Sequence, residues 1–150
     1  RTVINSSFNY GFELRSSFKD FLNFNIGSKW EYNEVNTIFK NSYNENNSFI
    51  DLYFILNKKI NFQLETERYY NSNLDKKNNK YYFMDLELNY VPNKNKLSFS
   101  ILANNLFNTK TFKNYLVDDV SISKTEYRLL PRYILLKIDF RFWNLIKFVN

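Results

Sequence analysis

Residues 127–142 read YRLLPRYILLKIDFRF, and from Ile134 onward they alternate. Ile134, Leu136, Ile138, Phe140 and Phe142 occupy every second position. Tyr133, Lys137, Asp139 and Arg141 occupy the positions between, with Leu135 as the one apolar intruder. A β-strand repeats every two residues, so this stretch has one uncharged apolar face and one charged face.

The same plan recurs upstream. A strand is expected over residues 6–15, where Phe8, Tyr10, Phe12 and Leu14 share a face. Further strands are expected over 20–33 (Leu22, Phe24, Ile26, Trp30, Tyr32) and over 48–56 (Ile50, Leu52, Phe54, Leu56). The series continues over 60–70 (Ile60, Phe62, Leu64, Thr66), over 81–91 (Tyr82, Met84, Leu86, Leu88, Tyr90) and over 97–105 (Leu97, Phe99, Ile101, Ala103). In these segments Glu13, Arg15, Lys29, Glu31, Asp51, Glu65, Glu67, Asp85, Glu87, Lys137, Asp139 and Arg141 all fall on the polar face, and Arg68 breaks the rule. Arg68 lies next to a long connection, where its side chain can reach water or lipid headgroups. The connections alternate in length: short at 16–19, 57–59 and 92–96, long at 34–47, 71–80 and 106–124. Short turns therefore collect on one rim of a meandering sheet and long loops on the other.

Composition narrows the classes. The 150 residues hold 16 Phe and 12 Tyr but only 2 Gly and 2 Pro, so Asn supplies the turn chemistry. There is no Cys and no His, which excludes disulfides, thiolate metal sites and His-based catalysis. The net charge of +6 is spread along the chain with no basic helix or recognition motif, so no nucleic-acid partner is expected. No run of about 18 apolar residues offers a transmembrane helix.

Alternation is also what a soluble antiparallel sandwich would show, with one dry face. Three features favour lipid as the cover. Strands of about 9–11 residues match a tilted membrane-spanning strand and exceed the soluble average of about 5–6. Aromatics bracket the aliphatic centres, as Tyr82 and Tyr90 do around Met84, Leu86 and Leu88. Short turns on one rim and long loops on the other are the layout of outer-membrane barrels. The expected fold is thus all-β: an antiparallel meander of about seven strands forming part of a transmembrane β-barrel. Residues 1–142 supply barrel strands and 143–150 form a tail. Bacterial single-chain barrels have even strand numbers, and no edge can stay unpaired in lipid, so more strands are expected upstream of Arg1.

The ordered set NLFN at 105–108, YRLLPR at 127–132 and an alternating strand ending Phe140-Arg141-Phe142 resembles the C-terminal end of TonB-dependent outer-membrane receptors, above all the Bacteroidetes type. In that family an NLFN follows the penultimate strand, a PR precedes the last one, and the last strand ends in an aromatic read by the barrel-assembly machinery. The resemblance implies that Ile134, Leu136, Ile138, Phe140 and Phe142 carry the assembly signal. It also implies an outer-membrane receptor or transporter taking part in energised nutrient uptake or in a surface complex. Its partners would be outer-membrane lipid, the barrel-assembly machinery, a TonB-type energy transducer and, in some assemblies, a surface lipoprotein. The family's chains end at the aromatic, whereas this one continues to Asn150. A small non-transporting barrel or scaffold, and a soluble β-sandwich binding module, are the alternatives.

Candidate sites are sparse. The carboxylates Glu65, Glu67, Asp85 and Glu87 can line up across neighbouring strands, as paired catalytic acids must, but a solvated interior wall explains them better. No enzymatic activity, cofactor or metal is expected. Asp118 and Asp119 form a lone acidic pair. The long connections carry Tyr43, Phe49, Tyr69, Tyr70, Phe112 and Tyr115, whose rings suit stacking on a ligand. Of these, Tyr43, Tyr69, Tyr70, Phe112 and Tyr115 are the expected ligand contacts.

Overall fold

A computed structural model of the chain describes residues 4–17, 21–36, 40–92, 96–117 and 121–141. Among them there are nine strands and no helix. They are β1 (Ile4–Ser17), β2 (Leu22–Asn36), β3 (Lys40–Asn57), β4 (Ile60–Asn71), β5 (Lys80–Tyr90), β6 (Leu97–Asn104), β7 (Thr111–Val117), β8 (Ile122–Arg128) and β9 (Tyr133–Phe140). Seven of these form one antiparallel meander in the order β1-β2-β3-β4-β5-β6-β9, while β7 and β8 pair only with each other. Among the described residues the sheet does not close on itself, and β1 and β9 are the ends of its strand order.

The register aligns the alternation of one strand with that of the next. Leu14 faces Ile26, which faces Ile50, then Thr66, then Met84. The adjacent row runs Phe24, Leu52, Leu64, Leu86, Ala103 and Ile134 across six strands. The next runs Leu22, Phe54, Phe62, Leu88, Ile101 and Leu136. A one-residue slip anywhere would send a whole strand's apolar set to the charged face, so these rows fix the pairing. Where Gly27 opposes Phe49, the ring lies over the glycine: a Cβ there would sit 2.6 Å from Phe49 Cζ. The short turn after β3 is closed by Asn57, whose Oδ1 accepts from the amides of Lys59 and Ile60.

Three expectations need correction. Residues 34–47 are not a loop: Glu34–Asn36 prolong β2 and Lys40–Asn47 begin β3, giving a tall hairpin beyond the apolar rows. Its polar segment SYNENN has no period of its own, so the strand there comes from pairing with β2. Residues 106–124 are not a single connection either, because they contain β7 and the start of β8. The strand count among the described residues is therefore nine, with the hairpin β7–β8 added to the seven expected. Phe142, the tail 143–150 and the pair Asp118 and Asp119 lie outside the described residues.

Little is buried. The buried apolar side chains among the described residues are Val35, Tyr43, Leu74, Tyr81 and Ala103. All but Ala103 lie at the long-connection end. Among the described residues no strand or helix packs across the apolar face; the main strand contacts are those of edge-to-edge neighbours, and the β7–β8 hairpin meets the sheet on the polar face. Phe12, Leu14, Leu136 and Ile138 are all more than half exposed, and Ile134 reaches 72%.

Candidate functional site

Among the described residues the polar face is covered at one end only. The β7–β8 hairpin lies there, and Phe112 is its anchor. Its ring centroid is 5.0 Å from Tyr69 and 5.0 Å from Tyr81, both edge-on, and 6.1 Å from Phe83. Tyr127 of β8 stacks on it at 6.3 Å. A second contact joins Tyr115 of β7 to Tyr43 of β3 at 6.4 Å, and the Lys113 amide donates to the Tyr81 hydroxyl at 3.2 Å. Edge-to-face pairs at these separations contribute beyond the area they bury. Of the expected ligand aromatics, the structure brings together Tyr43, Tyr69, Phe112 and Tyr115, and spends their rings on one another. Tyr70 is elsewhere, because its neighbour Tyr69 takes the polar face and a strand sends consecutive side chains to opposite sides. Phe49 sits within β3 over Gly27. Tyr81, Phe83 and Tyr127 belong to the cluster and were not anticipated, although an aromatic at a polar-face position was a readable sign for the first two.

Beside this cluster the loop 72–79 folds over Asn71, the one fully buried side chain of the described residues. Asn71 Nδ2 donates to Glu45, Tyr69 donates its hydroxyl to the same oxygen at 3.2 Å, and Asn71 Oδ1 accepts from the Asn73 amide. Burial raises the Glu45 carboxyl above its ordinary range. The charge of Glu31, its register partner, adds to this, and the Tyr69 hydrogen bond offsets part of it. Burial likewise raises the Tyr43 hydroxyl, and the charges of Glu45 and Glu31 act in the same direction.

Further down the polar face, Asp51, Glu65 and Asp85 stand opposite one another across β3, β4 and β5. With Glu45, Glu67 and Glu87 they make the polar positions of these three strands acidic, with no Lys or Arg among them. Lys29 lies on β2, and Lys137 on β9 pairs with Asp139 at 3.1 Å, so charge balance is not local. No group of His, Cys, Asp or Glu suited to a metal occurs among the described residues.

The NLFN segment is a knot between two strands. Asn105 and Asn108 hold left-handed backbones, with φ of 52° and 56°, a region Asn enters at lower cost than most residues. The Asn105 amide donates to Asp85 Oδ1. Its side chain bridges Thr109 and the Leu130 carbonyl, each at 2.8 Å, and Asn108 Oδ1 accepts from the Arg132 amide at 3.1 Å. The turn after β6 is thereby tied to the PR that leads into β9. On β9, Ile134, Leu136, Ile138 and Phe140 share the exposed apolar face.

Comparison of the chain with protein-family models, curated proteins and solved structures returns no match.

Proposed function

We propose that the chain is a stretch of transmembrane β-barrel wall from an outer-membrane receptor of the TonB-dependent type, with its apolar face against lipid and its acidic face toward a water-filled interior. The observation that carries this reading is the uncovered apolar face, seven strands wide, on a chain whose hairpin folds over the opposite face. A soluble sandwich would bury that face. From the Leu14 row to the Leu97–Phe140 row there are four steps of two residues, about 27 Å along a strand. Tilted by about 40°, they rise about 20 Å, close to the roughly 25 Å apolar band of such barrels. Tyr90 and Phe99, stacked at 6.3 Å, fall at one margin. Tyr10, Trp30, Tyr70 and Tyr82 fall at the other.

Among the described residues the sheet ends at β1 and β9, and lipid offers no hydrogen bonds to an edge strand, so this reading requires further strands to close the barrel. The tie between NLFN and PR supports the receptor type, because it gives that pair of motifs a joint structural task. Function would then consist of ligand capture at the tall-hairpin end and passage through the interior, driven by a periplasmic energy transducer.

The test is a pair of neighbours on β5. Leu86→Arg puts a charge near the middle of the apolar rows, at a cost of about 2–4 kcal/mol, and should abolish the heat-modifiable folded band. Glu87→Arg faces the interior and should assemble. Equal assembly of both variants would reject the orientation.

A further inference from the structure

The apolar face has one polar interruption, at its upper margin. Ser28, Ser48 and Arg68 form one row across β2, β3 and β4, and Trp30, Asn46 and Tyr70 form the row above. Their side chains are linked. Ser28 Oγ lies 2.7 Å from Ser48 Oγ, Asn46 Nδ2 donates to Ser28 Oγ at 2.9 Å, and Ser48 Oγ donates to Asn46 Oδ1 at 3.0 Å. Arg68 donates to the same Asn46 oxygen at 2.9 Å and makes no ion pair with any described residue. Asn46 and Ser28 are buried, so the network is a fixed support and not a chance of surface rotamers. Above it opens a notch whose lining includes Tyr10, Trp30, Tyr32, Asn46, Arg68 and Tyr70, and to which Glu31 and Glu45 also contribute, with Tyr10 and Trp30 stacked at 5.4 Å. Lys80, the register partner of Tyr70, adds an exposed cation on the same face as the half-buried Arg68. The carboxylates at the intervening positions, Glu31 and Glu45, bond to groups of the opposite face. Glu34 shares the face of Arg68 but lies three rows higher and two strands away.

An anchored guanidinium with donors to spare, a nearby ammonium and a rim of amphipathic rings at the edge of an apolar band match a lipid headgroup. A guanidinium forks onto two phosphate oxygens, Tyr and Trp rings settle at headgroup depth, and the rows below would take the acyl chains. We propose that this notch binds the phosphate headgroup of an anionic membrane lipid, held by Arg68 and Lys80. The proposal rests on the membrane reading above, and its test separates the two.

Trp30 reports on the notch directly. In a Trp143→Phe background it is the only tryptophan, since the chain has two. The full chain is placed in phosphatidylcholine bilayers containing a fixed fraction of dibromo-phosphatidic acid or of dibromo-phosphatidylcholine, brominated near the headgroup. Phosphatidic acid should quench Trp30 with a binding constant higher by about fivefold for each cation engaged. Arg68→Gln and Lys80→Gln should each reduce that preference, and Arg68→Lys, which keeps the charge but not the fork, should retain only part of it. Equal quenching by the two brominated lipids would overturn the site and leave the barrel intact. A preference lost instead on replacing Lys58 and Lys59, at the opposite rim, would also overturn it, as general attraction to charge. If neither lipid quenches Trp30, the apolar face does not meet lipid and the membrane reading fails with it.

Discussion

Tyr81 and Tyr82 are neighbours on β5, yet Tyr81 is 6% exposed and Tyr82 45%. Tyr81 points into the cluster under the β7–β8 hairpin, where its ring meets Phe112 and Tyr69. Tyr82 points to the apolar face, where its ring pairs with that of Phe107 at 6.3 Å. The two rings belong to two kinds of stability. The polar face at the tall-hairpin end holds a small packed core of the ordinary kind, in which protein covers protein. The apolar face holds rows of side chains that no other described strand covers, so their burial depends on what lies against that face. The hairpin and the wall should therefore respond separately to mutation.

Phe112→Ala breaks the first without touching the second. Removing a large ring from a packed site costs about 3 kcal/mol or more when fully buried, and Phe112 is partly covered, so about 2–3 kcal/mol is expected. Limited proteolysis should cut within 111–128 much faster, while the heat-modifiable band of the wall stays unchanged. Loss of that band would mean that hairpin and wall fold as one unit and that the division drawn here is wrong.

The wall was largely legible in the sequence because its information is local. Each of Leu86, Leu88 and Ile101 sits two residues from the next apolar side chain, and period two is enough to define a strand face. The hairpin was not legible, because what holds Phe112 is a face of β4 and β5, residues 29 to 43 positions earlier. Nothing near TFKNYLV or ISKTEYR announces those partners. Parity alone, however, puts Tyr69 and Tyr70 on opposite faces, which the expectation that both contact a ligand did not use. The knot at Asn105 lies between these cases: the motif could be read, its bonds could not. Asn105→Ala removes three side-chain hydrogen bonds and forces Ala into the left-handed region, together about 2 kcal/mol. Asn105→Gly should relieve the backbone part and recover roughly half of the loss. The midpoint of heat modification measures both, and identical midpoints for the two variants would remove the backbone from the account.

The smallest effect probes the packed end by pH. Glu45 lies above the apolar rows, and its folded carboxyl is raised above the ordinary range, mainly by burial and then by Glu31. The folded state therefore holds this proton more tightly than the unfolded chain does. Stability from this site is greatest below the ordinary carboxylate range, falls as pH rises through the raised folded value, and is level above it. Glu45→Gln keeps an acceptor for Asn71 and has no proton to lose. Amide exchange at Asn71 and Ser72, whose N–H groups bond to Asn79 and Asn44, should be slower in Glu45→Gln than in the parent at neutral pH. The two proteins should converge in acid. Parallel profiles across that range would show that Glu45 ionises in the fold as freely as in water, and that the tall-hairpin end is less packed than the burial of Asn71 implies.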